Sequence, residues 1–266
     1  MKLYLIPLLL LSFLTTISAK QAEAKKAEQN LAISPLEGLW KAVSGHEDED
    51  PMDAEDIATI FMKFQGNTVL ATYDEEADHG SFTYEAEKNR TLITLTIDDE
   101  KVTIPMIYKL EKDQLTICHF DDFEEKAKSY PDSFEPTDGL IIIKLKRLPI
   151  DTRLKGNWKT KELWDMGELA DEKFNFDFGK STLSVTDVED PDAGLGSYLT
   201  NSTTSPKRIH LYSDEGDFQK GIYKIEKRIL HICIIEDDAE ATDKQGYPKD
   251  FIKNEDSIYI QLIPKK

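Results

Sequence analysis

The chain of 266 residues carries 33 Lys and Arg against 51 Asp and Glu, a formal charge of -18, with 39% apolar residues. That apolar share excludes an intrinsically disordered chain, and the charge sets the protein against nucleic-acid phosphates and anionic membrane surfaces. Cationic partners, divalent ions or plain solubility are what it favours.

The first segment, MKLYLIPLLLLSFLTTISAK, has one Lys, an apolar run from Leu3 to Leu14, and small residues up to Ala19. It predicts a signal peptide over 1–19, with Ala22 and Ala24 as alternative cleavage points, and hence export to the periplasm or beyond the cell. No later stretch approaches the roughly 20 apolar residues of a spanning helix, so no membrane contact is expected after cleavage. Residues 20–35, rich in Ala, Lys and Glu and closed by Ser34-Pro35, read as a spacer.

Short β-segments follow in order at Trp40–Val43, Ile60–Phe64, Thr68–Tyr73, Ser81–Glu85, Leu92–Ile97, Val102–Leu110, Leu115–Phe120 and Leu140–Lys146. One helix is expected in DPMDAEDIATI, with Asp50 as cap and Pro51 at its first position. Eight more segments lie at Trp158–Leu163, Phe174–Phe178, Thr182–Thr186, Gly196–Leu199, Arg208–Tyr212, Gly221–Ile225, Leu230–Ile235 and Ile258–Leu262. Alternation marks them as strands: Ile209 and Leu211 share one face, as do Ile258, Ile260 and Leu262.

The two series are copies. YKLEKDQLTIC (108–118) recurs as YKIEKRILHIC (223–233), LEGLW at Leu36 as LKGNW at Leu154, SYPDSF at Ser129 as GYPKDF at Gly246, and LIIIKLK at Leu140 as SIYIQLI at Ser257. Four blocks in one order at nearly constant offset mean a duplication, with one copy over 36–149 and the other over 150–266. The short junction RLPIDTRLKG makes the copies abut. Eight short antiparallel strands per copy suit a sandwich or a closed up-and-down barrel, and closure, which removes sheet edges, favours two tandem eight-stranded barrels with little helix.

The order L-x-G-x-W, then a turn with F-x-G-x or F-G-K, then a G-I-Y-x-I/L-x-x-x-x-L-x-I-C hairpin, then a Pro-aromatic block and a closing strand resembles an uncharacterised lipocalin-like domain abundant in exported proteins of planctomycete-type bacteria. The resemblance covers both copies; GIYKIEKRILHIC, Gly221 to Cys233, matches best, and the first copy has Met106 where the second has Gly221. It implies a small β-barrel and carries no established activity. Its signature positions here are Gly38, Trp40, Gly156, Trp158, Tyr108, Tyr223, Cys118 and Cys233. In lipocalins an Arg from the barrel's end packs on the G-x-W tryptophan; Arg147 stands in that place for Trp40, whereas Pro264 stands there for Trp158. The glycines permit close backbone approach, and the tryptophans plug a barrel end.

Chemistry is sparsely marked. Two cysteines are too few for a disulfide scaffold, and equivalent strands of two domains rarely meet, so Cys118 and Cys233 read as separate buried thiols. His119 follows Cys118 directly, whereas His231 precedes Cys233 by two; that unequal geometry speaks against a repeated Cys-His metal site. Acidic runs after the two Cys strands offer weak Ca²⁺ candidates in Asp121, Asp122, Glu236, Asp237 and Asp238, with no EF-hand spacing. Nucleophile elbows, phosphate loops and dinucleotide fingerprints are absent from the sequence, so no catalytic residue and no cofactor is assigned. The function expected is a non-catalytic, monomeric binding module for a small apolar molecule or an envelope partner. A structural or interaction protein with solid barrel cores is the alternative, and an enzyme of unknown reaction the third reading.

Overall fold

A computed structural model describes residues 34–73, 76–85, 88–97, 100–121, 129–179, 182–188, 193–213, 218–235, 242 and 246–265. The expected signal peptide lies outside them. The chain divides into a leading unit, Met1–Glu37, and a compact unit, Gly38–Lys266. Of the first, Ser34–Glu37 forms a turn in which the Glu37 amide donates to the Ser34 carbonyl. Among the described residues no helix is long and apolar enough to cross a membrane.

The compact unit is two closed antiparallel barrels. Barrel 1 comprises β1 (Gly38–Glu47), β2 (Asp50–Pro51), α1 (Ala54–Thr59), β3 (Phe61–Gln65), β4 (Thr68–Tyr73), β5 (Glu76–Glu85), β6 (Arg90–Ile97), β7 (Glu100–Glu111), β8 (Gln114–Phe120) and β9 (Leu140–Leu148). Barrel 2 comprises β10 (Gly156–Asp165), β11 (Glu168–Ala170), β12 (Phe174–Phe178), β13 (Thr182–Asp187), β14 (Ala193–Asn201), β15 (Lys207–Ser213), β16 (Phe218–Glu226), β17 (Ile229–Ile235) and β18 (Ser257–Pro264). Fifteen of the sixteen expected segments fall wholly within strands, and the other, Ile60–Phe64, overruns β3 by Ile60, which closes the helix. Each ring of eight closes through its first long strand, β1 on β9 and β10 on β18, while β2 and β11 add a short hairpin arm outside the ring.

Closure demands a bend in the strand that serves two neighbours, and both copies make it in one place. The register slips between Ala42 and Ser44 in β1 and between Thr160 and Glu162 in β10. A bulge of this kind sharpens the local twist and lets one strand turn from one partner to the other. The helix differs from expectation: Asp50 and Pro51 pair with Glu47 and His46 as a strand, and the extended residue before the helix is Asp53. Proline is tolerated there because it sits on an edge arm.

The period-2 pattern gives several strands an apolar residue set on each face. In barrel 2 the inward set forms one contiguous core including Trp158, Phe176, Phe178, Tyr223, Ile232 and Leu262. On the outer face a second cluster gathers Ile222, Cys233 and Tyr259 beneath Tyr247, Phe251 and Ile252. Barrel 1 repeats that outer cluster with Ile107, Cys118, Ile142 and Phe134. The Pro-aromatic block is thus a flap over the outside of the sheet, pinned in both copies by a guanidinium on a tyrosine ring. Arg90 lies 4.8 Å from the ring centre of Tyr130, and Arg208 lies 4.0 Å from that of Tyr247.

The barrels meet along a seam where Leu39, Phe61 and Leu70 pack on Leu199 and Tyr212, with Phe218 beside them. Phe61 meets the His210 ring edge-on at 5.2 Å, and Lys63 Nζ stands 4.8 Å over the Tyr198 ring. His79 Nε2 and Ser197 Oγ share a hydrogen bond of 3.1 Å. The strand registers make Leu39, Phe61 and Leu70 equivalent to Asn157, Asn175 and Ser184 of barrel 2. They make Leu199, Tyr212 and Phe218 equivalent to Thr83, Thr94 and Thr103 of barrel 1. A contact between two unlike faces repeats head to tail unless its free ends differ. Here both free ends are polar, so the apolar pair of faces occurs once.

Candidate functional site

The base of each barrel is built from the same three pieces: the Gly-x-Trp start of the first strand, the tip of the YK hairpin and the end of the closing strand. In barrel 1 the pieces interlock. Arg147, paired with Trp40 across β1 and β9, lays its guanidinium 4.1 Å from the indole centre. The Arg147 amide donates to the Asp113 carbonyl at the hairpin tip, and its Nε lies 4.0 Å from the Asp113 carboxylate. Gly38, at φ 130°, lies directly beneath it: a Cβ there would stand 2.7 Å from Arg147 Nη1, so the guanidinium would have to shift off its place on the indole. Trp40 is fully buried. A cation on an indole face contributes about 0.5–2 kcal/mol.

In barrel 2 two of the three pieces have changed. Pro264 pairs with Trp158 where Arg147 pairs with Trp40, and Arg228 occupies the hairpin-tip place of Asp113. The indole keeps its plug position through Nε1, which donates to the Leu154 carbonyl at 2.7 Å. Among the described residues nothing replaces the arginine: a Cβ on Gly156 would meet no atom within 4 Å. The result is a hollow of about 510 Å³ with Trp158, Ile225 and Pro264 as its apolar lining and Arg153, Lys155, Lys227 and Arg228 as its cations. That size lies within the usual range of small-molecule sites.

Asp151 holds one of these cations. Its carboxylate accepts from Arg153 Nη2 at 2.6 Å and Nε at 2.8 Å, and from Lys207 Nζ at 2.8 Å. The Arg153 hydrogen bonds, followed by Lys207, hold the Asp151 carboxyl well below the usual carboxylate range against the opposing effect of burial. Lys155, Lys227 and Arg228 have no such partner: among the described residues no carboxylate pairs with them. Lys227 and Arg228 also adopt left-handed backbone, at φ 50° and 65°.

The remaining expected site residues lie elsewhere. Tyr108 and Tyr223 are buried; the Tyr223 hydroxyl donates to Asp151 at 3.3 Å, and burial, followed by that carboxylate, raises its phenol. Cys118 and Cys233 are free and buried under their separate flaps, with the Cys118 thiol pushed up to about 11 by burial. His119 is buried with Nδ1 on the Phe120 carbonyl, and His231 Nδ1 meets the Tyr259 hydroxyl at 2.6 Å. Of the Ca²⁺ candidates, Asp121 is exposed, and Asp122, Glu236, Asp237 and Asp238 lie outside the described residues. Among the described residues no three His, Cys, Asp or Glu side chains are grouped to hold a metal.

Sequence reasoning noted the Arg147 and Pro264 exchange but passed over Arg153, Lys155, Lys227 and Arg228. The signal was present in the repeated phrase, EKDQ against EKRI. It acquires meaning once Asp113 is seen beside Arg147. Compared with known proteins, the chain matches no family model and no curated sequence.

Proposed function

We propose that the protein is an exported, non-catalytic binding module of the lipocalin-like kind, and that its ligand is a small molecule taken at the base of barrel 2. The observation that supports this is the contrast between two equivalent tryptophans, one capped by its own chain and one facing a hollow. A duplicated domain that keeps the plug and gives up the cap retains a preformed apolar surface at no expense to the barrel core. The contiguous apolar core of barrel 2 supports a ligand at the outer base over one inside the barrel. That same packing favours the second reading, an interaction protein with solid cores.

The test is native mass spectrometry of protein purified from its own host, beside Pro264→Arg, which restores the missing cap. The expected result is a retained small molecule on the natural protein and none on the variant. Retention by both proteins, or by neither, contradicts the placement of the site.

A further inference from the structure

Resting on that reading of the hollow, we infer that its ligand carries an anionic group on a flat apolar body, with the anion held by Lys155, Lys227 and Arg228. Three observations converge. The first is electrostatic: in a chain with 51 acidic residues, these three cations surround one hollow and none is paired with a described carboxylate. An acidic protein repels anions at long range, so a site for one needs a local concentration of positive charge.

The second is the pattern of exchange between the copies. In barrel 1 the cation on the indole and the carboxylate near it both belong to the chain, as Arg147 and Asp113. In barrel 2 Pro264 stands in the place of the internal cation and Arg228 in the place of the hairpin-tip carboxylate. The base therefore lacks its negative partner as well as its cover. A ligand with an apolar plane for Trp158 and Pro264 and a negative group for the hairpin tip supplies both.

The third is conformational. A two-residue hairpin with both central residues left-handed favours Asn-Gly or Gly-Gly. Lys227 and Arg228 instead hold φ 50° and 65°. Non-glycine residues there are strained by about 1 kcal/mol or more each, and such strain collects at functional positions. Lys112, in the place of Lys227 in barrel 1, holds φ 54°, so the left-handed residue peculiar to the barrel 2 turn is the cation Arg228.

Two fluorescent probes separate the anion from the apolar body: 8-anilinonaphthalene-1-sulfonate, and N-phenyl-1-naphthylamine, which has the same rings without the sulfonate. The sulfonate probe is expected to bind at one site with quenching of Trp158, at least about tenfold tighter than the neutral probe, as one or two charge-assisted contacts provide. The variant Lys155→Gln/Lys227→Gln/Arg228→Gln should lose that advantage and leave the neutral probe unchanged. Pro264→Arg should exclude both. Equal affinity of the two probes for the natural protein, or undiminished sulfonate binding by the triple variant, overturns the anionic assignment while leaving the hollow a ligand site. If neither probe binds, or if Pro264→Arg excludes neither, the reading of the hollow itself falls with it. Circular dichroism of each variant shows that the barrel is retained.

Discussion

Lys63 is the most stringent handle on the barrel seam. It lies in β3, is only 5% exposed, and has its amine over the Tyr198 ring of the other barrel. Burial lowers the amine from 10.5 to about 8. At about 1.4 kcal/mol per pH unit, keeping it charged at pH 7 costs the folded state roughly 3 kcal/mol. The contact with Tyr198 returns about 1 kcal/mol. Lys63→Met, which keeps the volume and removes the charge, should therefore stabilise the protein by roughly 2 kcal/mol at pH 7 and raise Tm by about 4–8 °C. Below pH 8 both folded and unfolded chains hold the proton and the penalty is complete. Between pH 8 and 10.5 the unfolded chain binds a proton that the folded chain lacks, so the natural protein gains stability as pH rises. The advantage of the variant should thus fade from pH 8 to 10. Lys41, lowered by burial and by Arg208, titrates in the same sense but is present in both proteins and cancels. The assay is urea unfolding of both proteins at intervals from pH 7 to 10. A variant less stable than the natural protein at pH 7, or a difference that stays constant over this range, would refute a desolvated lysine at the seam.

Gly38→Ala and Gly156→Ala share a left-handed backbone, but only the first displaces the Arg147 guanidinium; thermal melts should show it the more destabilising by about 0.5–2 kcal/mol, the worth of that contact. Arg147→Ala should destabilise by about 0.5–2 kcal/mol and shift tryptophan emission to the red as Trp40 becomes wet. Cys118 and Cys233 should resist Ellman's reagent at pH 8 in the native protein and react fully in denaturant, since burial keeps both thiols protonated. Gly80→Ala or Gly196→Ala should prevent a stable fold or cost at least about 3 kcal/mol. A Cβ at either site would stand 2.1 Å from a carbonyl of the neighbouring strand, of Thr94 or Tyr212.

The fold was legible because strands announce themselves by alternation, and because a duplicated chain supplies its own comparison. The limits of legibility are equally physical. Strands β5 and β14 run further toward their N-termini than expected, past Gly80 and Gly196, where the backbone of the next strand lies too close for a side chain. The helix was started too early because Asp50-Pro51 satisfies capping rules locally, while its pairing with β1 is a tertiary fact. Phe61, Leu70 and Leu199 are in sequence simply apolar positions of strands; nothing in a strand's own pattern says whether its apolar face meets the barrel interior, a flap or another barrel. The site was half visible. The Trp158 position and the Pro264 exchange could be read directly, whereas the cations are exposed side chains whose convergence depends on barrel closure.

Trp40 is fully buried beneath a cation of its own chain, whereas Trp158, 6% exposed, presents an uncapped edge to the hollow proposed as the ligand site. The three indole N–H signals of Trp40, Trp158 and Trp164 report on this asymmetry directly in ¹⁵N-labelled protein titrated with the anilinonaphthalene sulfonate. The signal of Trp158 should move progressively with added probe while those of Trp40 and Trp164 hold still. Movement of Trp40 in its place, or of none of the three, would contradict it.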